Sequence, residues 1–304
     1  HRCSIRARDR TGARELNYEG HWRDIFQNWD AWGTAFPGFL PHFVAKFVNA
    51  STVDGFNPYR IARDGVDWET VSPDDPWSNI GYWGDHHIVY LLRLLEALDR
   101  YHPDALGEMM GEEIFSYAEV PYRIKPYADL VRDPSATIVY DEACAARIAA
   151  RVAGRGTDGK LLTAPDGSVY HVNLFEKLLV PALSKLSNLI PDAGIWMNTQ
   201  RPEWNDANNA LGGGGVSVVT LCYLRRYLAF LADRFGDAVG ARLPVSAEVA
   251  DWFERVFAIL TGEQHLLAAD RLGGRDRKRL LDALGEAFSS YRQAVYAHGF
   301  SGRR

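Results

Sequence analysis

The sequence predicts an all-α domain with one or two short β-hairpins in its loops. Three observations carry this expectation. Apolar residues recur at helical spacing over most of the chain. Ser, Asn, Gly and Pro stand where those periodic runs begin and end. Strand-like alternation is confined to a few short stretches.

The first helix is predicted over 25–36, where apolar or aromatic residues at 25, 26, 29, 32 and 36 form one face and Pro37-Gly38 stops it. A short helix follows at 41–49. The run 88–101 is apolar at 88, 89, 91, 92, 94, 95 and 98, and His102-Pro103 closes it. A further short helix is expected at 111–118. The Ala/Arg-rich stretch 142–152 ends at Gly154. Asn173 opens a helix reaching about 189, with Glu176 completing the cap. Long helices are predicted at 217–235, at 246–261 behind an N-cap serine, and at 276–298, each followed by glycine. Strand signals remain at "CSIRAR", "KLLTAP" and "SVYHV", and the last two read as a hairpin over a Pro-Asp-Gly-Ser turn.

With 304 residues, 47% of them apolar, the chain can bury a large core. It has no low-complexity linker and no internal repeat, so it is read as a single domain over 1–304. It does not open with Met and reads as a piece of a longer polypeptide. The net charge of −5, without a Lys/Arg-rich run, points away from nucleic acid and anionic membrane surfaces. "HHIVYLLRLLEAL" is interrupted by Arg93 and Glu96, so no membrane span is expected. The charged start "HRCSIRARDR" lacks a signal-peptide core. Cys3, Cys144 and Cys222 are scattered and unpaired by spacing, which argues against a disulfide framework and for free thiols in a reducing, cytoplasmic setting.

The nine tryptophans are the unusual number, because several sit beside Asp, Asn and Gly in loop-like segments instead of on apolar faces. Three such segments combine carboxylates, amides and Trp at loop-to-helix junctions. "HWRDIFQN" holds Trp22, Arg23, Asp24 and Gln27. "WSNIGYWGDHH" holds Asp85, His86 and His87. "RPEWNDANNALGGGG" holds Glu203, Trp204, Asn205, Asp206, Asn208 and Asn209.

This mix suits carbohydrate chemistry. Sugar hydroxyls pair with Asp, Asn, Gln, Arg and His, and the apolar face of a pyranose lies on Trp or Tyr. Cleaving a glycosidic bond requires one protonated carboxyl at the leaving oxygen. An inverting hydrolase adds a second carboxylate, roughly 6.5–9.5 Å away, to activate water. A phosphorolytic enzyme instead needs cationic and backbone donors to hold phosphate. Plainer readings compete at each position. Asp24 fits a helix-start charge, and "NDANN" fits capping. His86-His87 lacks the HExxH spacing of a zinc site, so no metal is expected. "GGGG" precedes a helix but lacks the GK[ST] ending of a nucleotide loop. Ser168, Ser217 and Cys222 have no nucleophile-elbow context.

In order and spacing, the three segments resemble glycoside hydrolase family 94, the cellobiose and chitobiose phosphorylases. "WRDIFQN" is similar to the family's W-x-R-D-x-x-Q-D element around its proton donor. "WSNIGYWGDHH" resembles its S-D-D-H segment, and "EIFSYAEVPYRIKPY" the stretch that follows. "EWNDANNAL" before "GGGGVSVVTLCYLRRYLAFL" resembles D-W-N-D-G-M-N and its Gly-rich turn. The resemblance spans about 17–235. It departs at Glu203, where the family has Asp, at Ala207, where it has Gly, and at Asn28, where it has Asp. No phosphate-binding pattern of the family is found in 236–304.

The resemblance implies an (α/α)6 toroid, incomplete in this chain, with the active site at its wide end. It implies that Asp24 is the general acid, with Glu203 and Asp206 near the same cleft. Trp22 and Arg23 would line the transferred sugar's subsite, with Gln27, Asp85, His87, Trp204 and Asn205 as further substrate contacts. The expected activity is an inverting glycoside phosphorylase on an oligosaccharide or disaccharide, with inorganic phosphate as co-substrate and no cofactor. The alternatives are an inverting hydrolase on the same scaffold, with Glu203, Asp206 or Glu69 as base, and a non-catalytic glycan-binding or scaffold domain. A homodimer is allowed for the full-length protein. Missing toroid helices would leave apolar faces exposed and favour oligomerisation.

Overall fold

The computed structural model describes residues 19–57, 60–63, 65–68, 73–74, 87–198, 214–236 and 242–304. Helix dominates these residues, and the strands form only small antiparallel sheets. The "CSIRAR" stretch lies outside them.

Strand β1 (Glu19–His21) pairs with β2 (Arg60–Ala62), which pairs with β3 (Gly65–Asp67). The chain leaves β1 directly into α1 (Trp22–Ala35) and folds back over Pro37–Phe39 into α2 (Leu40–Asn49). The hairpin is antiparallel: Phe26 meets Phe47 with centroids 4.5 Å apart, Trp29 stacks on Phe43 at 4.6 Å, and Gly33 lies against Leu40. A Cβ at Gly33 would run into the Leu40 side chain, so the close approach requires glycine here.

Helix α3 (His87–Tyr101) packs against α1 and α2. Trp22 lies 6.2 Å from both His87 and Tyr90, while Asp30 accepts from Arg93 at 2.7 Å. Contacts advance together along both helices, so α1 and α3 run parallel. After α3 comes the short α4 (Ala105–Met110).

The expected helix at 111–118 does not form. Phe115–Ser116 is strand β4, paired with β7 (His171–Val172), and Ala118 bridges Thr52 and Leu161. Phe115, Tyr117, Ala118 and Val120 are all buried, and their backbone partners lie far along the chain. Non-local pairing and burial override local helical preference here. Strand β5 (Tyr122–Ile124) pairs with β6 (Ile138–Tyr140) around α5 (Tyr127–Arg132). Asp141 caps α6 (Glu142–Arg155) by accepting from the Cys144 amide at 2.9 Å. The hairpin expected near 160–172 is present in reduced form, with Thr163 bridged to Val169.

Helix α7 (Leu174–Leu186) starts at the expected Asn173 cap, which accepts from the Glu176 amide at 2.9 Å, but the Glu176 side chain does not complete the cap: it accepts from Tyr117 and Ser246 instead. It ends earlier than expected, and Leu189–Ile190 forms strand β8, paired with β9 (Gly194–Trp196). Strand β10 (Val216–Ser217) pairs with β9 and leads into α8 (Val218–Phe235), capped by the Ser217 hydroxyl on the Thr220 amide. Helix α8 runs parallel to α3, since Glu96 pairs with Arg226 and Asp99 with Arg234.

Helix α9 (Ala247–Gly262), the short α10 (Gln264–Leu267) and α11 (Gly274–His298) complete the chain. Ser246 stands at the predicted cap position of α9, but its hydroxyl does not cap: it donates to Glu176 at 2.8 Å. Helices α9 and α11 pack antiparallel through Trp252, which lies flat on Phe288 at 4.6 Å and 2°. One apolar cluster runs from Trp22 to Phe300. At its centre α7 is buried almost all round, Glu176, Lys177 and Lys185 included.

Candidate functional site

The head of α1 is built by the β1–β2 pairing, which fixes His21 opposite Arg60. His21 Nδ1 accepts from the Arg23 amide at 3.2 Å and so caps the helix. Asp24 falls in the first turn, where a carboxylate complements the helix dipole. Its side chain is 30% exposed, and Arg23 Nη2 stands 3.6 Å from its Oδ1. Gln27, one turn on, is exposed on the same side of the helix.

Trp22 occupies a different position from a sugar platform. It is 0% exposed, wedged among Phe47, His87 and Tyr90. Its area anchors the head of α1 to α2 and α3, and burial on this scale is worth about 2–3 kcal/mol. His87, the first residue of α3, is buried beside it, and neither ring nitrogen has a hydrogen-bond partner among the described residues. Burial holds the imidazole well below its ordinary titration range, and the nearby Lys185 and Lys177 push it the same way.

The first two motif segments therefore meet: Trp22 of one lies against His87 of the other. The third segment precedes α8, whose head points the same way as those of α1 and α3. Its flanks are tied together, Met197 donating to the Gly215 carbonyl at 2.9 Å and β9 pairing with β10. Asn198 donates to Asn188 at 2.7 Å, and Asn188 to the Ser184 carbonyl at 2.9 Å, which fastens the same flank to the end of α7. Glu69, Asp85, His86, Glu203, Trp204, Asn205, Asp206, Asn208 and Asn209 lie outside the described residues.

Sequence reasoning missed the ionisable groups inside α7. Lys177 donates to the Ser51 carbonyl at 3.3 Å and lies 3.5 Å over the Tyr117 ring; burial drives its ammonium well below the usual lysine range. Lys185 sits over Phe56 at 4.4 Å. Glu176 accepts from Tyr117 at 2.9 Å, and from the Ser246 hydroxyl at 2.8 Å and amide at 2.7 Å. The available signal was the run "NLFEKLLVPALSKL", in which apolar residues surround the charges on every side of the helix.

Among the described residues no cluster of His, Cys, Asp and Glu is arranged to hold a metal ion. Nor is any helix of these residues long and apolar enough to cross a membrane. Burial, with the Glu119 carboxylate alongside, pushes the Cys144 thiol up to about 11, whereas Cys222 is exposed. No protein-family model matches this chain, and no curated protein sequence matches it.

Proposed function

We propose that this chain is the catalytic-type domain of an inverting carbohydrate-active enzyme, a glycoside phosphorylase, built on an (α/α)6 toroid. The observation that carries the reading is the parallel alignment of α1, α3 and α8. It gathers at one end of the molecule the head of α1, which carries the first carboxylate- and Trp-bearing segment, and the heads of α3 and α8, which follow the other two. The antiparallel α1–α2 hairpin and the parallel α1, α3 and α8 are the relationships that a ring of helical hairpins would contain.

In this reading Asp24 protonates the glycosidic oxygen. Its partial exposure leaves it accessible to substrate, and Arg23 orients it. Glu203 and Asp206, with Trp204, Asn205, Asp85 and Gln27, complete the cleft. Trp22 and His87 hold the heads of α1 and α3 together from beneath, so they position the acid without touching sugar. Inorganic phosphate attacks the anomeric carbon from the opposite face, and the setting is cytoplasmic.

Product analysis tests this directly. Incubating the chain with disaccharides, with and without inorganic phosphate, should give a sugar 1-phosphate only when phosphate is present. A free reducing sugar formed without phosphate would establish the hydrolase instead. No turnover of any glycoside, with Asp24→Asn indistinguishable in glycan binding, would leave the non-catalytic domain.

A further inference from the structure

A cavity lies among the loop after α2, β5, α6 and the end of α11. Its volume is about 150 Å3, and Thr52, Asp54, Glu119, Arg123, Arg147 and Tyr296 supply its polar lining. None of these residues belongs to the three motif segments, and only Glu119 and Arg123 fall in the 113–127 stretch that follows the second. A void of this size is roughly that of an engineered pocket that admits benzene, so it has room for one six-membered ring.

Two carboxylates, Asp54 and Glu119, and two guanidinium groups, Arg123 and Arg147, stand in its wall. Glu119 is paired with Arg151, and Arg123 with Asp141 at 3.2 Å. That leaves Arg147, which is exposed on α6 and makes no ion pair among the described residues. At the floor, Asp54 is buried and accepts from the Tyr296 hydroxyl at 2.6 Å. Burial raises the affinity of Asp54 for its proton despite Tyr296, Arg292 and Arg123 beside it, so the floor suits a ligand hydroxyl. Thr52 is also buried, and its hydroxyl has no partner among the described residues. A buried hydroxyl left unpaired costs about 1–3 kcal/mol, and a ligand hydroxyl would recover it. Val53, Val120, Leu162 and Val295 line the rest.

We propose that this cavity binds a small polyhydroxylated anion, a sugar acid or sugar phosphate. Its hydroxyls meet Thr52 and Asp54, and its charged group rests on Arg147. The apolar wall takes the face of the ring. The site stands whether or not the chain cleaves glycosides, because it uses none of the residues assigned to that reaction.

Calorimetric titration of the full chain at low salt tests the proposal, with glucuronate and glucose 6-phosphate as probes and glucose as the neutral control. Saturable binding of either anion, with glucose much weaker, is the expected result. Which anion binds identifies the charged group as carboxylate or phosphate. Arg147→Ala should weaken binding about tenfold or more, since it removes a charge-assisted contact. Thr52→Val should weaken it several-fold while leaving the free protein at least as stable. Asp24→Asn should leave binding unchanged. The proposal fails if neither anion binds below about 10 mM, a very weak affinity. It also fails if glucose binds equally well, if both cavity variants bind like wild type, or if Asp24→Asn abolishes binding.

Discussion

The Nζ of Lys177 lies 3.5 Å above the ring of Tyr117, and the hydroxyl of that ring donates to the neighbouring Glu176 at 2.9 Å. Two adjacent residues of α7 thus grip one aromatic side chain from its face and from its tip. Glu176 has three donors fastening it to Tyr117 and Ser246, which ties α7 to the start of α9. Glu176→Gln would turn one acceptor into a donor facing donors. We expect a loss of about 3 kcal/mol, the scale for hydrogen bonds to a buried charge plus one unsatisfied group. Urea denaturation measures it, and a midpoint within error of wild type would contradict the latch.

His87 makes stability depend on acid. Its folded-state pKa is depressed by burial, so between that value and the ordinary 6.5 the unfolded chain binds a proton that the folded chain does not. Stability must therefore fall as pH drops below about 6.5, by up to about 1.4 kcal/mol per pH unit from this group. In His87→Phe this slope should vanish between pH 6.5 and 5. Identical wild-type and variant slopes in that window would rule His87 out as the source.

Gly285 of α11 meets the ring of Tyr127, and an added Cβ would overlap that ring. Alanine favours helix over glycine by about 1 kcal/mol, but the overlap should win, with Gly285→Ala costing about 1–3 kcal/mol net. Tyr127→Ala should cost less in the Gly285→Ala background than alone, because the pair is in contact. Strict additivity of the two changes would mean the contact is not the cause.

Under the proposed activity, Asp24→Asn removes the proton donor. The rate on a substrate with a poor leaving group should fall about 10²–10⁴-fold. An aryl glycoside with an acidic phenol should lose much less, because its leaving oxygen needs little protonation. Equal losses on both substrates would assign Asp24 a role other than general acid.

Helix positions were legible because they depend on residues near one another. Asn173 caps where short-range pattern places it, and α6 and α8 begin within one residue of their expected starts. Residues 111–118 were not legible, because their strand and bridge partners, Thr52, Leu161, His171 and Val172, lie far off in sequence. Ser246 carries a cap signature but its hydroxyl is claimed by Glu176, 70 residues away. The candidate site was legible only as three separate motifs. Nothing local foretells that Trp22 packs on His87, and the course of a helix carrying Glu176 and Lys177 through the core is signalled only by the apolar residues on every side of them. Charges normally mark the wet side of a helix, and here the tertiary structure supplies their partners instead.

Parallel packing of α1, α3 and α8 has an electrostatic consequence. Each peptide dipole ladder ends in roughly half a positive charge at its first turn. Antiparallel neighbours would cancel these fields, whereas aligned ones add. The end of the antiparallel α2 lies beside the head of α1 and offsets part of this sum, and Arg23 and Asp24 stand in the field that remains.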